Sequence, residues 1–320
     1  MKRIVVAVLL LVWVVPALSQ DYPSKPVRMV VGFPPGGGTD VVARILAPRM
    51  SELLGQPVVI DNRPGATGTV AAGQVAKAAP DGYTLMMGHV SVNAIAPSLF
   101  SNLSYDVIKD FSPIAIAAAV PHLVSVHPSL QVTSLKELIA YLKAQPGKLT
   151  FPSAGNGSMP HLAGEIFKSL AGVQVMHVPY KGSGQSMQDL LGGQHLVAFD
   201  TMPASSPHVR SGKLRALAVS SAARVASFPE VPTAEEAGLP AYQVTTWYGL
   251  FAPAGTPPAI VARLHADTVK AMQTPDTRAK LEGIGADGSV SRSPEDFAAL
   301  VRADTARYAR IVKEIGLRMD

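Results

Sequence analysis

Three consecutive glycines, Gly36, Gly37 and Gly38, followed by Thr39 and Asp40, separate the apolar run Val27–Val31 from the first amphipathic helical stretch. A related stretch, Arg63-Pro64-Gly65-Ala66-Thr67-Gly68, follows Val58-Val59-Ile60. Glycine lets a backbone approach a ligand closely and adopt positive φ. At a strand-to-helix junction the first helical amides have no carbonyl partner, and the helix dipole adds a positive field. Each stretch therefore reads as a nest of backbone donors for an anion. Two nests at adjacent strand ends would pinch one carboxylate from both sides. A hydrogen bond to an ionised oxygen contributes about 1.5–3 kcal/mol, so three or four hold a small carboxylate without a salt bridge. The plainer reading is that these glycines only make tight turns.

Other polar residues share this setting. Ser153, Asn156, Ser158 and His161 lie in one glycine-rich loop. Ser158 is either a nucleophile with His161 as base, or a ligand donor that also caps the helix opening at Pro160; proline near the first helical position favours capping. Asp200 ends an apolar run, where it binds a ligand amine or hydroxyl or caps the turn before Pro203. Trp247 and Tyr248 either line a cleft or pack core, and core is favoured for Tyr248.

Several chemistries lack their residues. The chain has no cysteine, which removes disulfides, thiolate catalysis and cysteine metal sites. No histidine pair stands at metal-ligand spacing, so neither a metal nor any other cofactor is expected. There is no phosphate-binding G-x-x-x-x-G-K-[ST], and no G-x-G-x-x-G with a ribose-binding acid at the usual distance; "KGSGQS" is a weak echo. The G-x-S-x-G of serine hydrolases is also missing.

The 320 residues suffice for two domains, and 48% are hydrophobic against 16% charged, so a large core forms and disorder is not expected. The amino terminus reads as an export signal: Lys2 and Arg3, then apolar Ile4 to Val15, then Pro16 and the small residues before Gln20. The apolar stretch is shorter than a spanning helix needs. Residues 1–20 are therefore read as a cleaved signal, and the mature chain as exported. Net charge is +5, part of it on Lys2 and Arg3, and no Lys/Arg cluster suggests nucleic-acid binding.

The elements that must position these loops alternate. Strands at 27–31, 58–60 and 84–87 are each followed by a loop and, in the first two cases, by a helix (39–54 and 70–78). A second series runs through a strand at 123–126, a helix at 134–144, strands at 149–151 and 175–178, helices between and after them, and strands at 196–199 and 214–219. Ser134 and Glu137 form a capping box. Pro48 should kink or re-phase the first helix. Residues 224–258, rich in proline and glycine, read as a connector, and helices follow at 258–273, 276–283 and 294–315. This alternation predicts an α/β fold with a mainly parallel sheet, in two lobes: 21–122 with 224–320, and 123–223. Ligands of such sheets sit at the carboxyl ends of the strands.

Taken in order, "FPPGGGTDVVAR", "DNRPGATGT", "AAPDGYTL", "PSAGNGSMPHLAGE", "VPYKGSGQSMQDLLGGQ", "PEVPTAEEAGLPAY" and "WYGLFAPAGTP" resemble the Bug family, the periplasmic solute receptors of tripartite tricarboxylate transporters. The resemblance covers nearly all of the chain after the signal. It implies a type II periplasmic-binding-protein fold, two α/β lobes with a ligand cleft between them, and a small carboxylate as ligand. By matching position it assigns Gly36, Gly37, Gly38, Thr39 and Asp40 in the first loop, and Gly65, Ala66 and Gly68 in the second. In the other lobe it assigns Ser153, Gly155, Ser158, His161, Tyr180, Lys181 and Gly182. Thr67 departs from the family's usual glycine; its hydroxyl is read as a ligand donor. Ser91 and Asn93, where the family varies, are read as specificity positions.

The resemblance implies a monomeric receptor that delivers its ligand to membrane permease subunits, with no catalysis. A receptor signalling to a sensor kinase, a hydrolase using Ser158 and His161, and a scavenging surface protein are the alternatives.

Overall fold

The computed structural model describes residues 22–286, 291–317 and 319; the export signal expected over residues 1–20 lies outside them. Strand β1 (Val27–Val31) pairs in parallel with β2 (Val58–Asn62) and with β3 (Thr84–His89). The first glycine loop leads from β1 into α1 (Gly38–Leu54). The second leads from β2, through one tight turn at Ala66–Gly68, into α2 (Thr69–Ala76). After β3 a π-helical turn, Ser91–Ile95, runs into the short α3 (Ala96–Leu99).

A 16-residue strand, β4 (Phe111–Val126), links the lobes. Its first part pairs antiparallel with β9 (Thr245–Pro253), as far as Pro121 beside Thr245. From His122 onward it pairs antiparallel with β7 (Val197–Thr201), and from Leu123 also with β8 (Arg215–Val219). The sheet order is β2-β1-β3-β9-β4-β7, with β8 also on β4, while β5 (Thr150–Ser153) and β6 (Met176–Pro179) form a separate parallel pair. The expectation of a mainly parallel sheet is therefore corrected. Among the described strands only β1, β2 and β3, and the β5–β6 pair, run parallel; β9 enters between β3 and β4 antiparallel to both.

Helices α4 (Leu135–Ala144), α5 (Met159–Ala171), α6 (Ser183–Leu191) and α7 (Met202–Arg210) follow β4; α5 and α6 pack on β5 and β7, and α7 on β4 and β7. Helices α8 (Pro258–Gln273), α9 (Pro275–Gly283) and α10 (Pro294–Glu314) follow β9; α8 and α9 pack on α1, and α10 on β4. Helix α1 runs through Pro48. The box at α4 is displaced by one residue: Ser134 Oγ accepts from Glu137 N–H, but the Glu137 carboxylate accepts from Thr133 rather than from Ser134.

One apolar cluster joins Met29, Leu46, Leu85 and Leu250 beneath α1. A larger one runs from Phe33 and Val92 across the middle of the molecule to Phe151, Phe167 and Phe199. Two packed cores under a shared sheet fix the strand ends that carry the loops.

Candidate ligand-binding cleft

Helices α1 and α2 from one lobe and α5, α6 and α7 from the other begin around the cleft between the lobes. The starts of α1, α2, α6 and α7 have no side-chain cap. The start of α5, also at the cleft, is capped by Ser158; away from the cleft α4, α9 and α10 are capped by Ser134, Thr274 and Ser293, while α8 is not. Capping satisfies amides that otherwise need another partner. Its absence at α1, α2, α6 and α7 leaves amides free for a ligand, where the helix dipoles favour an anion.

The cleft has two parts. A small inner cavity of ≈ 20 Å³ lies between Gly37, Gly38 and Thr39 on one side and Ala154, Ser158, Ser183 and Thr201 on the other, with Phe33, His89 and Tyr248 completing it. A void of this size holds about one water, so an organic acid enters only if the walls move. An outer cleft of ≈ 760 Å³ lies between Gly65, Ala66, Thr67 and Gly68 and the facing Gly155, Asn156, Tyr180 and Lys181. The two glycine loops thus face neighbouring voids rather than a single one. They touch where a Cβ on Gly32 would stand 2.9 Å from Gly68 Cα.

Of the cleft glycines Gly38 is pressed hardest: a Cβ there would come 2.3 Å from Tyr248 Oη and 3.1 Å from Thr201 Oγ1. Real side chains do not approach so closely, so only glycine fits. Ala66 and Thr67 sit at φ 43° and 55°, in the left-handed region, which costs non-glycine residues about 1 kcal/mol each.

Two hydrogen bonds span the cleft among the described residues. Thr67 Oγ1 donates to Asn156 O at 2.6 Å, and Met159 N–H donates to Ser91 Oγ at 2.7 Å. A Cβ on Gly182 would stand 2.6 Å from Pro34 Cδ. The lobes are in contact across the cleft.

Several expected ligand residues do other work. Thr67 spends its hydroxyl proton on Asn156. Ser91 accepts from Met159, and Asn93, fully buried, accepts from His89 N–H. Asp40 is buried and accepts from Gly36 N–H (3.0 Å), Arg44 Nε (2.8 Å) and Asn62 Nδ2 (2.9 Å). Burial opposes ionisation of its carboxyl, but the bonds from Arg44, Gly36 and Asn62 outweigh this and hold its pKa below the usual range. Asp40 therefore anchors the first loop, its charge paired with Arg44. Tyr180 Oη is shared between Asp189 and His195 (2.8 Å). Ser153 Oγ lies between Gly155 and His177 Nε2 (2.6 Å).

Ser158 and His161 form no catalytic pair. Ser158 Oγ accepts from the His161 backbone N–H (3.4 Å), as an N-cap does. His161 Nδ1 accepts from Gly157 N–H, and its ring stacks on His177 at 3.6 Å. Burial pushes the His161 imidazole down to about 4.

Asp200 is buried, and its Oδ1 accepts from Thr201 N–H (2.7 Å), Ser183 Oγ (3.1 Å) and, more weakly, Thr201 Oγ1 (3.4 Å). Burial raises its pKa. Lys181 is exposed at the mouth of the outer cleft. His89 Nδ1 accepts from Ser91 N–H (3.0 Å), which leaves the proton of the neutral ring on Nε2 as a donor. Burial, then the proximity of His122, pushes His89 down to about 3. Tyr248 is fully buried and its hydroxyl has no hydrogen-bond partner of good geometry, although Thr201 Oγ1 stands near it. Thus Tyr248 packs core, as expected, and also lines the cavity. Trp247 is core, its Nε1 donating to Asp304 at 2.8 Å.

Sequence reasoning missed Phe33, His89, Ser183 and Thr201. Ser183 stood in the "KGSGQS" stretch and Thr201 beside Asp200; His89 carried no signal. Among the described residues no cluster could hold a metal ion, and no helix is long and apolar enough to cross a membrane.

Residues 42–317 match the family described as the tripartite tricarboxylate transporter family receptor. The chain belongs to this family. BugT of Bordetella pertussis is 39% identical over 307 residues, 95% of this chain and 93% of BugT. An R. palustris protein solved with adipate is 39% identical, with a TM-score of 0.91 over 93% of this chain and 100% of that one. MatC from Rhodopseudomonas palustris, solved with bound malate, is 38% identical, with a TM-score of 0.86 over 91% of this chain and 100% of its own. The receptor family consists of solute-binding proteins rather than enzymes. Its two-lobed α/β fold is that of the periplasmic binding proteins.

Proposed function

We propose that this receptor is exported to the periplasm, captures a small carboxylate between its lobes and presents the closed form, as a monomer, to membrane permease subunits. The observation that carries this reading is the concentration of uncapped helix starts at the cleft. The carboxylate sits against the amides of Gly37, Gly38 and Thr39, with the Ser158 hydroxyl opposite. Its remaining chain extends past Gly65, Ala66 and Gly68 towards Lys181. The adipate and malate on the two structural relatives support an aliphatic acid as ligand.

The lobes expected at 21–122 with 224–320 and at 123–223 shift at one boundary: Phe228 and Val231 pack with Leu123 and Val219, and Tyr242 packs on Phe167, so the chain returns to the first lobe at β9. The change of pairing partner along β4, from β9 to β7 between Pro121 and His122, supports a hinge there. Closure brings Thr67 to Asn156 and Ser91 to Met159.

A thermal-shift screen against mono-, di- and tricarboxylates and their amides tests the reading. At least one acid raises the melting temperature, and its amide does not. A screen in which no acid shifts the protein, or in which acid and amide act alike, rejects it.

A further inference from the structure

The inner cavity is not uniformly a donor site. The unpartnered amides at the start of α1 and the Nε2–H of His89 face the cavity, and opposite the amides stands the hydroxyl proton of Ser158, whose oxygen already accepts from His161 N–H. These suit a carboxylate. Alongside Ser158 stand Ser183 Oγ and Thr201 Oγ1, and both donate to Asp200 Oδ1 (3.1 and 3.4 Å). A hydroxyl has a single proton. With those protons turned to Asp200, the wall they form shows lone pairs to the cavity.

The two walls are close, since a Cβ on Gly38 would lie 3.1 Å from Thr201 Oγ1. A bare carboxylate would leave the acceptors unsatisfied and would meet their negative ends. The fully buried Tyr248 hydroxyl at the same point has only Thr201 Oγ1 near it, in poor hydrogen-bonding geometry. Buried polar groups left without partners are costly, which makes such a wall selective.

Resting on the carboxylate-receptor reading above, we propose that the cavity selects acids with a hydrogen-bond donor on the carbon beside the carboxylate, that is 2-hydroxy or 2-amino acids. Ser183 and Thr201 act as the acceptors, and Asp200 is a positioning residue that holds their protons away from the ligand.

The test is calorimetric titration of the purified protein with two matched series: succinate, malate and aspartate; and adipate, 2-hydroxyadipate and 2-aminoadipate. In at least one series a donor-bearing acid binds about tenfold or more tightly than the unsubstituted acid, the scale of one well-placed hydrogen bond. Whether the hydroxy or amino member leads identifies the donor. Ser183→Ala and, independently, Thr201→Val bring that ratio of dissociation constants towards one. An unsubstituted acid that binds as well as its substituted partners overturns the proposal. So does a ratio that survives in both variants, including the case in which all the acids weaken together. Binding by no acid of either length instead rejects the carboxylate reading on which the proposal rests.

Discussion

Thr67 Oγ1 donates to Asn156 O at 2.6 Å, joining the second glycine loop of one lobe to the glycine-rich loop of the other. Thr67 holds a left-handed φ of 55° to do so. Thr67→Ala keeps the backbone cost and loses the bond. A neutral hydrogen bond contributes about 1 kcal/mol, so ligand affinity falls roughly fivefold. The change appears in the dissociation rate, because the bond exists only when the lobes meet. Stopped-flow release checks this, and an unchanged dissociation rate contradicts it.

The inner cavity makes adjacent glycines unequal. Gly37→Ala is tolerated, since its Cβ would have only Pro34 O at 3.7 Å. Gly38→Ala abolishes the ligand-induced thermal shift, because its Cβ would lie 2.3 Å from Tyr248 Oη. Adding Tyr248→Phe removes the clashing oxygen and restores part of the shift. Equal effects of the two alanines would show that the cavity is not shaped as described.

Asp40 serves the fold rather than the ligand. Asp40→Asn weakens the charge-assisted bonds from Arg44 and Gly36 and disturbs that from Asn62. Because Arg44 is half exposed, the loss is modest, about 1–3 kcal/mol. Urea unfolding of the ligand-free protein measures it. A loss of binding with no loss of stability would return Asp40 to the ligand.

Acid weakens the fold through histidines held neutral. Burial brings His122 and His161 down to about 4 and His89 and His177 to about 3; the neighbouring His161 and Lys168 push His177 the same way. In the unfolded chain they titrate near 6.5. The unfolded state therefore binds more protons below pH 6.5, and this contribution to stability, complete above that pH, erodes as pH falls towards about 4. The melting temperature is nearly flat from pH 7 to 8 and drops by roughly 10 °C or more by pH 4.5. His177→Phe, which keeps an aromatic ring against His161, makes the slope shallower.

The legible parts of the fold were those with local periodicity. Helix α1 shows apolar residues three and four apart, and β1, β2 and β3 are short apolar runs closed by glycine or proline. Strand β9 was hidden in a proline- and glycine-rich stretch. It is buried from Thr246 to Pro253, so it lacks the alternation that marks a half-exposed strand. Most of β4 was hidden likewise by small residues and by Pro113 and Pro121, the former beside a shift in register. Missing these two strands turned a mixed sheet into an expected parallel one. Helix α7 was masked by Pro203 and Pro207.

At the site, backbone donors were legible because glycine clusters announce them. Side-chain roles were not, because they depend on partners distant in sequence: Asn156 for Thr67, Met159 for Ser91, and Asn62 for Asp40. The acceptor wall needs Ser183 and Asp200 brought together from separate loops.

The most direct test of the account is a pair of calorimetric titrations at one pH, using the tightest-binding acid and the same molecule with the cavity-seated carboxylate converted to a primary amide. The uncapped helix starts predict a dissociation constant at least a hundredfold weaker for the amide, since two or more charge-assisted bonds lose their charge. Equal affinity for the two would contradict anion capture by main-chain amides.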